Sequence, residues 1–448
     1  MLEHCLKYES LMSIAKTSVL AFGKSKKWLL DHAEFWVYDL VGMPMALRWS
    51  LQKTTGTHAQ FLHTYHARSF WQFPYGPLRA VWTILIWPVA LIIAIIIFTT
   101  WNGRAISKRA GVSIPKQIWL QFDMAWRHSI APFWFYMFEL YDPNRSKLAP
   151  LYLLAHETIG PAFGHLQPPE GVDLMADKVW FAKHLHEHKV KAVPVFLYLS
   201  AGEILPARSS TTELPDCDLF VKPRQGNGGH NAERYDFMGE GKYISSADII
   251  FSRAELLTKL LQQSLKDDFI IQPRLVNHPD LADISNDALS TVRVFTIRNE
   301  LGEPEVTNVA FRMAIGTNSV VDNFHQGGLA AAVDMATGKI CEASDIGIKP
   351  AMGWREIHPV SGVRFKDRAL PDWSAVLELA RQAHRAFPAR IMVGWDVAVL
   401  KDGPMIIEGN GRPDLDIHQR VERAPLGDQR VAELVVFNLR HHAQHKSA

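Results

Sequence analysis

Between Ala80 and Trp101 the chain runs AVWTILIWPVALIIAIIIFTTW without one charged side chain, and only Thr83, Thr99 and Thr100 are polar. At about 1.5 Å of rise per residue, a helix of that length crosses a hydrocarbon core of roughly 30 Å. The stretch lies too far from the N-terminus for a secretory signal peptide. Trp82 and Trp101 suit the two membrane interfaces, Trp87 less well. Two other readings stay open: a buried core helix, and a re-entrant hairpin kinked at Pro88 that leaves both ends cytoplasmic. Arg104, Lys108, Arg109 and Lys116 follow the stretch, against Arg68 and Arg79 before it. That excess puts the C-terminal side in the cytoplasm, at an inner or cytoplasmic membrane.

The flanks share this character. Ten of the fourteen tryptophans precede residue 135. Residues 28–49 and 118–141 mix aromatics with acids, and each reads either as an interfacial amphipathic helix or as ordinary helical packing. The expected organisation is a helical, membrane-interfacial region over 1–79, a transmembrane or re-entrant helix over 80–101, and a helical linker with a partial domain over 102–170. A net charge of +2 over 448 residues excludes a dedicated nucleic-acid binder. Cys5, Cys217 and Cys341 are far apart, so neither a disulfide framework nor a cysteine zinc cluster is expected, and a reducing compartment is the simpler setting.

From about residue 150 the apolar runs become short and turn-bounded. Residues 193–199, 218–223, 269–273, 291–297, 306–313, 394–400 and 404–410 read as strands. Residues 176–190, 252–266 and 373–386 read as helices. The mixed order indicates an α+β fold over 171–425, followed by a C-terminal helix and polar tail over 426–448 that takes in His441, His442 and His445.

Residues 394–410, GWDVAVLKDGPMIIEGN, read as a hairpin. A three-residue loop Lys401-Asp402-Gly403 with a left-handed glycine pairs Leu400 with Pro404, Ala398 with Ile406, and Asp396 with Glu408. Asp396, Glu408 and Asn410 then share one face, and Val397, Val399, Met405 and Ile407 the other. Opposed carboxylates repel unless a cation lies between them, and an all-oxygen donor set suits magnesium. The alternative is an Asp396 that points to solvent at a sheet edge. Upstream, DLFVKPRQGNGGHN puts Lys222 on a strand before a loop with Gly226, Gly228 and Gly229. Such a loop lets backbone N–H groups wrap phosphate oxygens, and a lysine adds a point charge. The spacing is not that of a P-loop, and no GxGxxG opens a helix. Asp177-Lys178 opens a predicted helix, from which a second lysine reaches phosphate or simply faces solvent.

Asp-Lys at a helix start, VKP with a glycine-rich loop some 45 residues later, an apolar IIQP strand, and Asp…Glu-x-Asn followed by Pro413 come in a fixed order. This order resembles the ATP-grasp superfamily, as in D-alanine–D-alanine ligase. STVRVFTI, VDNFHQGG and GWDVAVLKDGPMIIEGN resemble more narrowly the sugar-transfer associated ATP-grasp family. The resemblance covers roughly 170–425 and implies two α+β subdomains that clasp ATP. It implies that Lys178 and Lys222 contact the phosphates, that Gly226, Gly228 and Gly229 form a lid, and that Gln272 lines the hinge near adenine. It further implies that Asp396, Glu408 and Asn410 hold two Mg2+ ions. Three departures stand out. D-alanine–D-alanine ligase carries an arginine where this chain has Gly394, so Arg293 or Arg312 is expected to stabilise developing charge instead, each alternatively a structural ion pair. The glycine usual after the proline is Asp414, and no complete Rossmann-like domain precedes Lys178. The implied activity is a membrane-anchored, ADP-forming carboxylate–amine ligase that works through an acyl phosphate, with its catalytic domain in the cytoplasm. Its implied partners are ATP, a carboxylate-bearing small molecule, an amine or sugar acceptor, and membrane lipid. The family's name adds cell-surface polysaccharide modification. The alternatives are a kinase that stops after phosphoryl transfer and a non-catalytic nucleotide-binding membrane scaffold.

Overall fold

The computed structural model describes residues 56–445 except 72–75, 206–211, 226–231, 286, 349–352 and most of 155–174 and 316–326. The expected interfacial segment 28–49 and the loop glycines Gly226, Gly228 and Gly229 lie outside the described residues.

The N-terminal part is helical: α1 (His58–Trp71), α2 (Gly76–Ala110), α3 (Ile114–His128) and α4 (Pro132–Met137). Helix α2 runs without a break through Pro88, so no hairpin turn forms at that proline. Helix α5 (Lys178–Glu187) opens the α+β part, and no strand precedes it among the described residues. Strands β1 (Leu197–Ser200), β2 (Glu203–Leu205), β3 (Leu219–Pro223), β4 (Glu233–Gly239), β5 (Lys242–Ser245), β6 (Ile250–Ser252) and β7 (Phe269–Pro273) form one sheet in the order β2-β1-β7-β3-β4-β5-β6. Helix α6 (Arg253–Gln263) covers one face of it through Leu256 and Leu260. It starts at a capping box, in which Ser252 accepts from Glu255 N–H and the Glu255 carboxylate from Ser252 N–H.

Strands β8 (Thr291–Arg298), β9 (Pro304–Met313), β10 (Leu329–Val333), β11 (Ile340–Ser344), β12 (Met392–Leu400) and β13 (Gly403–Asn410) form the second sheet, ordered β11-β10-β9-β8-β12-β13. Both sheets are antiparallel throughout their named pairings. Helix α7 (Trp373–Arg385) packs Val376 and Ala380 on one face, against Val292, Val294, Val397, Val399 and Ile406. Helices α8 (Asp416–Glu422) and α9 (Arg430–His445) close the chain. Helix α9 buries Leu434, Val435 and Leu439 and continues to His445, so His441, His442 and His445 lie on its last turns.

The described residues between 56 and 154 pack directly on the second sheet and on α8 and α9. Ala59 and Leu62 of α1 share one buried cluster with Phe295, Ile297, Leu434 and Val435. Each fully buried side chain of Leu or Phe size contributes about 1.5–3 kcal/mol. Polar contacts fix the orientation. Trp134 Nε1 donates to Asp416 Oδ2 at 2.9 Å, and Gln419 Nε2 to the Leu153 carbonyl at 2.7 Å. Arg420, fully buried, donates to the Met137 carbonyl at 2.5 Å and lies 3.5 Å from Glu139.

Candidate active site

Strand β12 lies directly beside β8 and β13, and this order brings the acids and arginines together. Asp396 pairs with Glu408 across β12–β13 and with Arg293 across β12–β8. The Asp396–Glu408 pairing is the expected one, but the rest of the hairpin is not. Leu400 pairs with Gly403, Val399 with Pro404, Ala398 with Met405 and Val397 with Ile406. The turn is the two residues Lys401-Asp402, with Gly403 already in β13 at φ +90°. A bulge between Asp396 and Val397 absorbs the one-residue slip and restores the acid pair. Ile406, and not Ile407 or Met405, consequently joins Val397 and Val399 in the core.

Asp396 is almost fully buried, and its carboxylate bridges two guanidinium groups. Arg293 Nε reaches Oδ1 at 2.5 Å and Nη2 reaches Oδ2 at 3.2 Å, while Arg312 Nη2 lies 2.8 Å from Oδ2. Burial pushes the Asp396 carboxyl up, but Arg293 and Arg312 together outweigh it and hold the group below its ordinary value. Arg312 is itself fixed by donating to Thr291 Oγ1 at 3.0 and 2.6 Å. Thus Asp396 does not point to solvent. A Cβ at Gly394 would sit 3.5 Å from Arg293 Cδ and 3.6 Å from its Nη1. Those are ordinary contacts; what the missing Cβ makes room for is Pro413, whose Cβ would lie 2.9 Å away. Asn410 pairs with Gly394, and its Oδ1 accepts from Arg412 N–H at 2.9 Å. Asp414, the departure from the family pattern, has a local role: its Oδ1 accepts Asp416 N–H at 2.8 Å and starts α8.

Strand β3 of the first sheet supplies Lys222, and helix α5 supplies Lys178 at its first position. Leu219 and Val221 face α6, so alternation turns Phe220 and Lys222 to the opposite face. On β7, Ile270 opposes Lys222 and Gln272 opposes Phe220, which places Gln272 on that same face, buried. Helix α5 wedges between the sheets: Val179 and Ala182 pack with Ile270 and Tyr198, and Phe181 with Trp395 and Phe387. Asp177 caps α5 by accepting from Val179 N–H at 3.0 Å and Trp180 N–H at 3.3 Å. Its other oxygen accepts from Arg224 Nε at 2.9 Å, and the Lys178 ammonium lies 3.4 Å from the Arg224 carbonyl. These contacts lock the start of α5 to the end of β3.

The four charged groups feel one another. Burial pushes Lys222 down to about 8; Lys178 adds to that, and Glu408 and Asp396 oppose it. Burial likewise lowers Lys178, opposed by Glu408 and Asp177. Two ammonium groups from one sheet and its helix thus face two carboxylates from the other. Glu408 and Asn410 on β13 carry oxygen donors, the donor chemistry that suits magnesium, whereas Asp396 already accepts three guanidinium contacts and keeps about one lone pair, and no group of three His, Cys, Asp or Glu side chains gathers for a metal among the described residues. Two neighbours escape sequence reasoning. Arg224 has its partner Asp177 47 residues upstream. His418 is fully buried on α8, and neither ring nitrogen has a hydrogen-bond partner among the described residues. Burial, with Arg293 nearby, pushes it down to about 3.

No curated protein matches the chain. Among solved structures it is similar to an L-amino acid ligase from Bacillus licheniformis, at 12% identity and TM-score 0.32 over 59% of this chain, and spans about half (48%) of that chain's length. It is similar to a D-alanine–D-alanine ligase from Bacillus anthracis complexed with ATP, at 10% identity and TM-score 0.34 over 61% of this chain and 68% of that one. It is similar also to an N5-carboxyaminoimidazole synthetase from Staphylococcus aureus complexed with ADP, at 13% identity and TM-score 0.34 over 60% and 54%. The sugar-transfer associated ATP-grasp family profile matches residues 163–432, more than half of the chain. The chain belongs to the sugar-transfer associated ATP-grasp family.

Proposed function

We propose that this protein is a membrane-associated, ATP- and Mg2+-dependent, ADP-forming carboxylate–amine ligase that works through an acyl phosphate. The observation that carries the reading is that Lys178 and Lys222 both lie within electrostatic reach of Glu408, and Lys222 also of Asp396, which pairs with Glu408 across β12–β13. Phosphoryl transfer needs in-line positioning and neutralised charge more than covalent help from the protein. Lys178 and Lys222 bind the phosphates, and Gln272 lies toward the base. Gly226, Gly228 and Gly229 form the lid that keeps water from the acyl phosphate. Asp396, Glu408 and Asn410 hold the magnesium ions, which when bound neutralise phosphate charge. Arg293 and Arg312, held by Asp396, stabilise charge that develops on the transferred group.

A substrate carboxylate oxygen attacks the γ-phosphorus, the bond from that phosphorus to the bridging oxygen breaks, and ADP departs. An amine then attacks the acyl carbon, the carbon–oxygen bond to phosphate breaks, inorganic phosphate leaves, and the amine loses one proton. The family name supports a substrate among cell-surface polysaccharide precursors, with an amine or sugar acceptor. The apolar helix α2 supports placement at the cytoplasmic membrane with this site in the cytoplasm. The test is ATP turnover with candidate amino acids, with and without Mg2+, beside Glu408→Ala. Magnesium-dependent ADP release with an acyl–nitrogen product, both lost in the variant, supports the ligase. A stable phosphorylated product makes the protein a kinase, and unchanged turnover in the variant removes the site.

A further inference from the structure

Helix α2 has the length and composition of a membrane span, over Leu85–Ala110. Its packing argues that it does not cross. Trp87, Leu91, Ala94, Ile95, Phe98 and Ile106 are buried against α3, α4 and the protein body. Asn102, fully buried, donates to the Ile348 carbonyl at 2.7 Å. The packed part from Trp87 to Ile106 is about 29 Å long. It is the very stretch that lipid would have to surround in a span of roughly 30 Å. What precedes it, Gly76 to Ile86 in sequence position, reaches only about 16 Å.

Both ends of α2 are also tied to one body. Helix α1 ends just before it, and the connecting residues 72–75 reach at most about 18 Å. Yet α1 is anchored beside α9: Ala59 N–H donates to the Gly427 carbonyl at 3.0 Å, and His63 meets Glu157 at 2.6 Å and the Pro150 carbonyl at 3.0 Å. Ala67 of α1 lies in the same cluster as Trp87 and Leu91. A crossing α2 would drag these polar, docked residues through the bilayer.

The outer face of α2 is nonetheless apolar and bare. Leu85, Val89, Ile92, Ile93 and Ile96 are each at least half exposed (50–68%). Beside them α3 exposes Ile118, Trp119, Phe122 and Trp126, and the Trp87 and Trp126 rings lie 6.0 Å apart. Charge completes the pattern. Over 76–128 the only acid is Asp123, which pairs with Arg127 at 2.6 Å, whereas Arg104, Lys108 and Lys116 are exposed and cationic. Arg104 and Lys108 continue the stripe of Val89 and Ile93 at helical spacing. An apolar plate with exposed tryptophan and a cationic margin fits an anionic phospholipid surface.

We propose that α2 and α3 form a monotopic docking plate, with α2 lying along one leaflet of an anionic bilayer and both of its ends on the side of the ATP-grasp body. This deepens the membrane association proposed above and rests on it. The test uses the full chain with Cys5, Cys217 and Cys341 replaced and one cysteine introduced, either Thr57→Cys before α2 or Lys108→Cys near its end. A membrane-impermeant maleimide should label both in inverted membrane vesicles and neither in intact cells. Labelling of Thr57→Cys from the outside instead means that α2 spans, and overturns the plate while leaving membrane association intact. In parallel, the purified chain should float with phosphatidylcholine vesicles containing phosphatidylglycerol. It should bind roughly a hundredfold more weakly when Arg104, Lys108 and Lys116 are all changed to Gln, the effect of three cations near an anionic surface. Trp119→Ser with Ile93→Ser and Ile96→Ser should abolish flotation while leaving ATP turnover unchanged. A chain that never floats, or that buries this face in a dimer, removes the association itself.

Discussion

At the residue scale the site is a set of charges kept in unfavourable places. Lys222 has its pKa pushed down to about 8 from 10.5, with burial the largest cause. Between those values the unfolded chain binds more protons than the fold. Stability from this group therefore rises with pH from about 8 to 10.5, and the full penalty applies below 8. Lys222→Met should lower kcat/KM for ATP by at least about a hundredfold, yet leave the Tm of the ATP-free protein unchanged or higher. A marked fall in Tm would instead make Lys222 structural. His384 gives the opposite end of the pH scale. Burial pushes it down to about 3 from 6.5, while Thr296 Oγ1 at 2.8 Å and the Arg390 carbonyl at 3.0 Å occupy its nitrogens. Here too the unfolded chain binds more protons, between about 3 and 6.5, so stability is lost as pH falls through that window. Denaturant unfolding across pH 7 to 4 should show this loss, and His384→Gln should flatten it. Lys222 and Asp396 are legible as residues because their chemistry is rare on apolar strands. The grip of two arginines on Asp396 is not, since Arg293 and Arg312 come from different strands and only the order β9-β8-β12 unites them.

At the scale of elements, the β12–β13 hairpin shows what alternation can and cannot tell. Counting by two from either end gives the acid pair, but the bulge at Asp396/Val397 and the two-residue turn shift every partner between. A bulge leaves no composition signal, which is why alternation misplaces the core residue Ile406 but not Asp396 and Glu408. Strands β10 and β11 are hidden for another reason: LAAAV and ICEAS carry one β-branched residue each and no aromatic, and their neighbours determine them. Gly394 is the position where backbone and site meet. Gly394→Ala puts a Cβ 2.9 Å from that of Pro413 and in ordinary contact with Arg293. Because Pro413 must give way, it should destabilise the fold by about 1–3 kcal/mol, read by denaturant melts. A melt unchanged from the parent protein would mean that the chain around Pro413 yields without cost.

For the whole molecule, the sequence suggests a boundary near residue 170, which the packing does not respect. The change in composition there is real, but Ala59, Leu62 and Leu153 complete the cluster around Leu434 and Leu439. Trp134 and Arg420 join the two parts through buried hydrogen bonds. Residues 163–448 alone should therefore be poorly soluble and bind a hydrophobic dye, whereas the chain from residue 56 should melt cooperatively. The central claim is that Lys222 of one sheet, Lys178 of helix α5 and the acids of the other sheet close on Mg2+-bound ATP. Titration calorimetry of ATP into the full chain, Lys222→Met and Glu408→Ala tests it most directly. Binding that requires Mg2+ and is lost in both variants is the predicted result. Equal affinity in all three, or binding indifferent to Mg2+, would contradict it.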